Sequence, residues 1–96
     1  MKRSFTIMNE CILKNSKLSW PLKKILIFIN YSNFKGDHYL SKNFIAEKSM
    51  VGKRTISGHL RSLRKNGYIE VSYQPGKPSI FKITEKIFID FAKGDI

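Results

Sequence analysis

The stretch 41–67, SKNFIAEKSMVGKRTISGHLRSLRKNG, leaves this chain the fewest choices of fold. It reads as two short helices joined by a tight turn. In the second helix, predicted over 53–66, Ile56, Leu60 and Leu63 recur at i, i+4 and i+7 and so share one face. At about 100° per residue, Arg54, Gly58, Arg61 and Lys65 fall opposite them. One side is suited to a core, and the other is small or cationic. Gly67 stands where a left-handed residue would end the helix, after Arg64 and Lys65, whose charge suits its negative end. A basic helix face alone describes many solvated helices, so the flanking segments decide what this one is for.

Downstream, YIEVSY alternates Ile69, Val71 and Tyr73 on one face. A turn cluster follows at 74–78, and SIFKIT resumes an extended pattern, so 68–84 reads as a hairpin with Lys77 at its tip. Residues 85–93 then form a short helix with more apolar surface (Ile87, Phe88, Ile89, Phe91) than a lone terminal helix needs. It either docks on the core or joins the first long helix in a dimer interface. Upstream, the alternation in 4–8 predicts a short edge strand, followed by one or two helical turns at 9–14. Ser19 and Pro21 mark the start of the first long helix, which runs to about Tyr31. Its apolar residues cover more than one stripe, so it is buried on several sides. A loop at 32–38 turns at Gly36-Asp37 and carries an exposed His38. Tyr39-Leu40 adds a short strand, and Ser41 caps the next helix.

The run IAEKSMVGKRTI resembles the helix-turn-helix of winged-helix regulators and of phage and plasmid replication proteins. The resemblance rests on Ile45-Ala46, on Gly52, Lys53 and Arg54 at the turn, on Thr55-Ile56, and on the ending Leu60, Leu63, Gly67, Tyr68, Ile69. FTIMNECILKNSKLSWPLKKILIFI is similar to the opening of the replication-type domains, and the hairpin looks like the wing, so about 4–84 is covered. Three positions depart from the pattern. Met50 occupies the turn position usually given to glycine, which implies a strained positive φ. Gly52 replaces a serine cap, and Ser49 stands where an apolar residue is usual.

Charge points the same way. The 96 residues carry 18 Lys and Arg against 7 Asp and Glu, a net charge of +11, which calls for a polyanionic partner. Seven of the basic residues (Lys42, Lys48, Lys53, Arg54, Arg61, Arg64, Lys65) fall in 41–65 against the single acid Glu47. Catalysis finds little support. There is no metal-ligand spacing, no nucleophile motif and no glycine-rich phosphate loop. Cys11, the only cysteine, reads as a small buried apolar residue. The longest apolar run, 25–29, is far short of a membrane span.

The expectation is therefore one α+β domain over 1–96: a winged helix-turn-helix with a three-helix core, a two-stranded wing and a short C-terminal helix. The missing catalytic and membrane-spanning patterns lead to the expectation of a non-enzymatic, cytoplasmic protein without a cofactor; the resemblance implies binding of double-stranded DNA, and the surplus apolar surface a homodimer through the first long helix, the C-terminal helix or both. A small phage- or plasmid-type transcriptional regulator comes first. A replication or partition protein comes second, and an adaptor or inhibitor that binds a protein partner third. The N-terminal part of the helix, with Lys53 and Arg54, is expected at the base edges, Arg54 foremost because its guanidinium fork matches guanine; Thr55 and Ser57 are expected on bases or phosphates, and Gly58 lets the backbone approach the duplex closely. Phosphate contacts are expected from Ser41, Lys42, Arg61, Lys65 and the wing residue Lys77.

Overall fold

The structure, a computed structural model, describes residues 5–73 and 75–92, with side chains from Ile7 onward. In chain order the elements are α1 (Phe5–Lys14), α2 (Trp20–Phe34), β1 (Tyr39–Leu40), α3 (Lys42–Ser49), α4 (Ile56–Lys65), β2 (Ile69–Ser72), β3 (Ser79–Ile83) and α5 (Lys86–Ala92). Helix α2 is central. Its Ile25, Leu26 and Ile29 are fully buried, and α1, α3, α4 and β3 all pack against it. Ile45 and Ala46 of α3 and Ile56, Leu60 and Leu63 of α4 close the core from one side. Each large aliphatic side chain so buried contributes about 1.5–3 kcal/mol. The apolar stripe of α4 and the helix pair are as the sequence predicts.

The sheet is antiparallel in the order β1-β3-β2, with Val71 opposite Phe81 and Tyr39 opposite Ile80. The hairpin of β2 and β3 is the wing, and the two-residue β1 completes its other edge. Asn33 fixes the sheet to α2: its Nδ2 donates to the Phe81 carbonyl (3.0 Å) and its Oδ1 accepts from the Ile83 N–H (2.8 Å).

Five expectations need correction. The predicted edge strand at 4–8 is helical from Phe5, and Ser4 lies outside the described residues. Met8, Cys11 and Ile12 are buried at i, i+3 and i+4, while Ile7 is 49% exposed. The helical period therefore prevails over a short alternation. Helix α2 continues past Tyr31 to Phe34 because Ser32 is buried and Asn33 is held by β3; His38 beyond it is half-buried. Ser19 is the N-cap of α2 but makes no side-chain cap bond. Pro21, in the first turn, removes one of the amides such a cap would accept from. Finally, the second helix of the pair begins at Ile56, not at 53. Gly52 has no side chain with which to cap, and Thr55 instead closes a turn on it, through both its N–H (3.1 Å) and its hydroxyl (3.0 Å) to the Gly52 carbonyl.

Three helices end alike, each through a left-handed residue and two reversed hydrogen bonds that occupy carbonyls of the last turn. For α2 the residue is Gly36 (φ 90°), with Gly36 N–H donating to Asn33 and Asp37 N–H to Ser32. For α4 it is Gly67 (φ 83°), with bonds to Arg64 and Leu63. For α3 it is Met50 (φ 56°, ψ 43°), with bonds from Met50 to Glu47 and from Val51 to Ala46. The strained non-glycine turn expected from the sequence is present.

The C-terminal helix is tied down by a buried polar cluster. Asp90, fully buried, accepts from the Tyr68 hydroxyl (2.6 Å) and from Asn15 Nδ2 (3.3 Å), and pairs with Lys86 Nζ at 3.1 Å. Burial pushes the Asp90 carboxyl up, but the hydrogen bonds from Tyr68, Lys86 and Asn15 outweigh it and hold the group below its ordinary value. One carboxylate thus joins α1, the start of the wing and α5.

Candidate nucleic-acid interface

The interface is built from the start of α3, the outer face of α4 and the wing. Ser41 is an N-cap with extended backbone, and its hydroxyl accepts from the Phe44 N–H at 3.1 Å. This aligns the first amides of α3 outward and leaves Lys42 exposed at the helix start. Lys42 then shares a recess of about 100 Å³ with Ser57 and Arg61 of α4 and with Arg64 and Tyr73, over a floor of Leu60, Val71 and Phe81. Residues far apart in sequence thereby form one cationic strip between the helix pair and the wing.

On α4 itself, Ser57, Gly58, Arg61 and Lys65 are all exposed, opposite the buried Ile56, Leu60 and Leu63. A Cβ added at Gly58 would meet nothing within 4 Å, so packing within the chain does not require glycine there. Lys53 and Arg54 are exposed in the turn before the helix rather than on its first turn. The helical wheel therefore does not set their direction; the Gly52–Thr55 bonds do. The Thr55 hydroxyl proton is engaged within the chain, which leaves that oxygen as an acceptor toward a ligand. Lys77 is exposed in the wing turn beside Gly76 (φ 71°), apart from the strip beside α4, and Gln74 of the same turn lies outside the described residues.

Two residues belong to the strip that the sequence reading left out of it. Arg64 lies with its guanidinium carbon 5.8 Å from the centre of the Tyr73 ring, and both line the Lys42–Arg61 recess. The sequence pattern puts Tyr73 on one face of the hairpin with Ile69 and Val71. Tyr73 lies just past β2 and is 62% exposed. The spacing of Arg64, three residues after Arg61 and seven after Ser57, was the available signal, whereas the Tyr73 partnership needed the wing to be placed. Among the described residues no group of His, Cys, Asp and Glu is arranged to hold a metal ion, and no helix is long and apolar enough to cross a membrane.

This arrangement of helix pair, small antiparallel sheet and hairpin is the winged helix-turn-helix fold. Residues 23–69 match the family model described as a helix-turn-helix domain. Solved structures with the same fold include S. aureus MepR bound to ethidium bromide, at TM-score 0.58 and 15% identity over 94% of this chain and 71% of that one. Transcriptional regulator PA4135 aligns at TM-score 0.60 and 16% identity, over 95% of this chain and 66% of that one. TrmBL2, an archaeal chromatin protein, aligns at TM-score 0.58 and 21% identity, over 96% of this chain but only 35% of its own length. At these identities the likeness is one of fold. A search of curated proteins returns no significant match.

Proposed function

We propose that the chain is a sequence-specific double-stranded DNA-binding protein that acts as a small transcriptional regulator of the phage or plasmid type. The observation that carries the reading is the strip in which Lys42, Ser57, Arg61 and Arg64 meet between the helix pair and the wing. Such a strip matches a duplex backbone on both sides of a helix laid in the major groove. Arg54 and Ser57 read base edges, the Thr55 hydroxyl oxygen accepts from a base amino group, Gly58 lets the helix approach closely, and Lys53, Arg61, Lys65 and Lys77 hold phosphates. The neighbours agree in kind: MepR is described as a transcription regulator of a multidrug efflux pump, and TrmBL2 by its DNA binding. With about five phosphates neutralised, the slope of log K against log salt is about −4 to −5.

One copy offers few base contacts, so specificity needs two. Leu13 on α1 and Ile89 and Phe91 on α5 are 43–48% exposed on two helices that pack together, which supports a homodimer through the α1–α5 face. On the first long helix, α2, Ile25, Leu26 and Ile29 are spent on the core. The net charge of +11 supports a second reading, a maintenance protein that coats repeated sites.

Selection of bound sequences from a random duplex pool at about 150 mM salt tests both. An inverted repeat is the expected result, with Arg54→Ala weakening binding by about 1–3 kcal/mol and relaxing one base position. A direct-repeat array would favour site coating. Absence of any motif, with binding that disappears as salt rises, would rule out the specific reading.

A further inference from the structure

Met50 combines a left-handed backbone with a side chain that is 80% exposed, so burial within the chain does not compensate its strain. Its side chain lines an open groove of about 370 Å³ between α2 and α3. Trp20, Ile27, Phe28 and Tyr31 complete the apolar lining, and Trp20 and Tyr31 are 57% and 46% exposed. Lys24 and Lys48 also line the groove, and among the described residues no acidic one does. Lys24 Nζ donates to the Met50 carbonyl (3.2 Å), and Lys48 Nζ lies 5.6 Å from the centre of the neighbouring Phe44 ring.

We propose that this groove is a docking site for an acidic, amphipathic helical segment of a partner protein. An aromatic or aliphatic side chain of that segment sits between Trp20 and Met50, and its carboxylates face Lys24 and Lys48. Trp, Tyr and Met are the residue types that anchor interfaces, and methionine adapts to the shape of a bound side chain. The charge selects the occupant. A second copy meeting this groove face to face would set its own Lys24 and Lys48 against these, a like-charge juxtaposition that disfavours pairing at this face. A duplex would match the lysines but has no apolar surface to cover Trp20, Ile27 and Met50. Among the described residues none of α4 or of the wing lines the groove, so the partner and the DNA occupy separate faces.

The test is to pan a displayed random peptide library on the whole chain and titrate labelled recovered peptides by fluorescence anisotropy. The expected peptides combine Asp or Glu with apolar residues at i, i+3 or i+4, and i+7. Their affinity should fall about tenfold or more in Met50→Gly and in Trp20→Ala, and also in Lys48→Glu. Met50→Gly relieves the backbone strain, so loss of binding in that variant is not loss of fold. Recovery of no peptide family, or of peptides that bind Met50→Gly as tightly as wild type, overturns the proposal. So does a fall in duplex affinity in Met50→Gly, which would assign the groove to DNA. A sedimentation shift from dimer to monomer in the same variant overturns it as well, assigning the groove to a second copy.

Discussion

The C-termini of α3 and α4 are closed by the same pair of reversed hydrogen bonds, but in different surroundings. Behind Gly67 the chain turns inward: Tyr68 is 4% exposed, and its hydroxyl joins the Asp90 cluster. At α3, Ser49 is 3% exposed with a hydroxyl that finds no hydrogen-bond partner among the described residues, and Met50 projects outward. The end of α4 agrees at every level, with glycine at the left-handed position and an apolar residue after it packing into the core. The end of α3 carries two local costs, a strained methionine and an unsatisfied hydroxyl. Its geometry is held by the neighbouring elements, including the Lys24 bond to the Met50 carbonyl. Where a local rule is broken without a gain inside the chain, the residue becomes a candidate for an external role.

The contrast can be broken most strongly at the inner end. Asp90→Ala removes the acceptor shared by Tyr68 and Asn15 and should destabilise the fold by about 3 kcal/mol in chemical denaturation. Because the fold lowers the Asp90 pKa, the charged form contributes stability above the ordinary aspartate value. That contribution is lost as pH falls through the folded-state value. The stability gap between wild type and Asp90→Asn should therefore be widest near neutral pH and narrow below about pH 4.

Gly67→Ala should cost about 1 kcal/mol. The left-handed penalty of about 1–2 kcal/mol is partly offset by the lower entropy of the unfolded chain. At the other end the sign reverses. Ser49→Ala should stabilise by about 1 kcal/mol, since it removes a desolvated hydroxyl that finds no partner. The smallest effect is expected for Met50→Gly, a gain of about 0.5 kcal/mol in thermal or urea unfolding. A loss in either of the last two variants would mean that the end of α3 is better satisfied than its geometry shows, and the contrast would fall.

Much of the fold was legible locally. The stripe Ile56, Leu60, Leu63 and the punctuation at Gly36, Ser41 and Gly67 are short-range signals whose physics lies within one or two helical turns. Even the positive φ of Met50 follows from the turn, since the chain must reverse there whatever residue is present. The misses have a common cause. Helix α1 and the extra turn of α2 depend on which of two local periods gains partners, and those partners lie far away, at Asp90 for Asn15 and at Phe81 and Ile83 for Asn33. Likewise, the residue types of the candidate interface are readable, but the grouping of Lys42, Arg61, Arg64 and Tyr73 required the wing to be seated.

By itself the sequence determined the charge, the apolar face of α4, the glycine stop at Gly67 and the hairpin, because each depends on residues within hydrogen-bonding or side-chain reach along the chain. Only the tertiary structure decided that Asp90 is shared by three segments and that Trp20 and Met50 border one groove. These are contacts between segments brought together by burial of α2, and no local propensity encodes them.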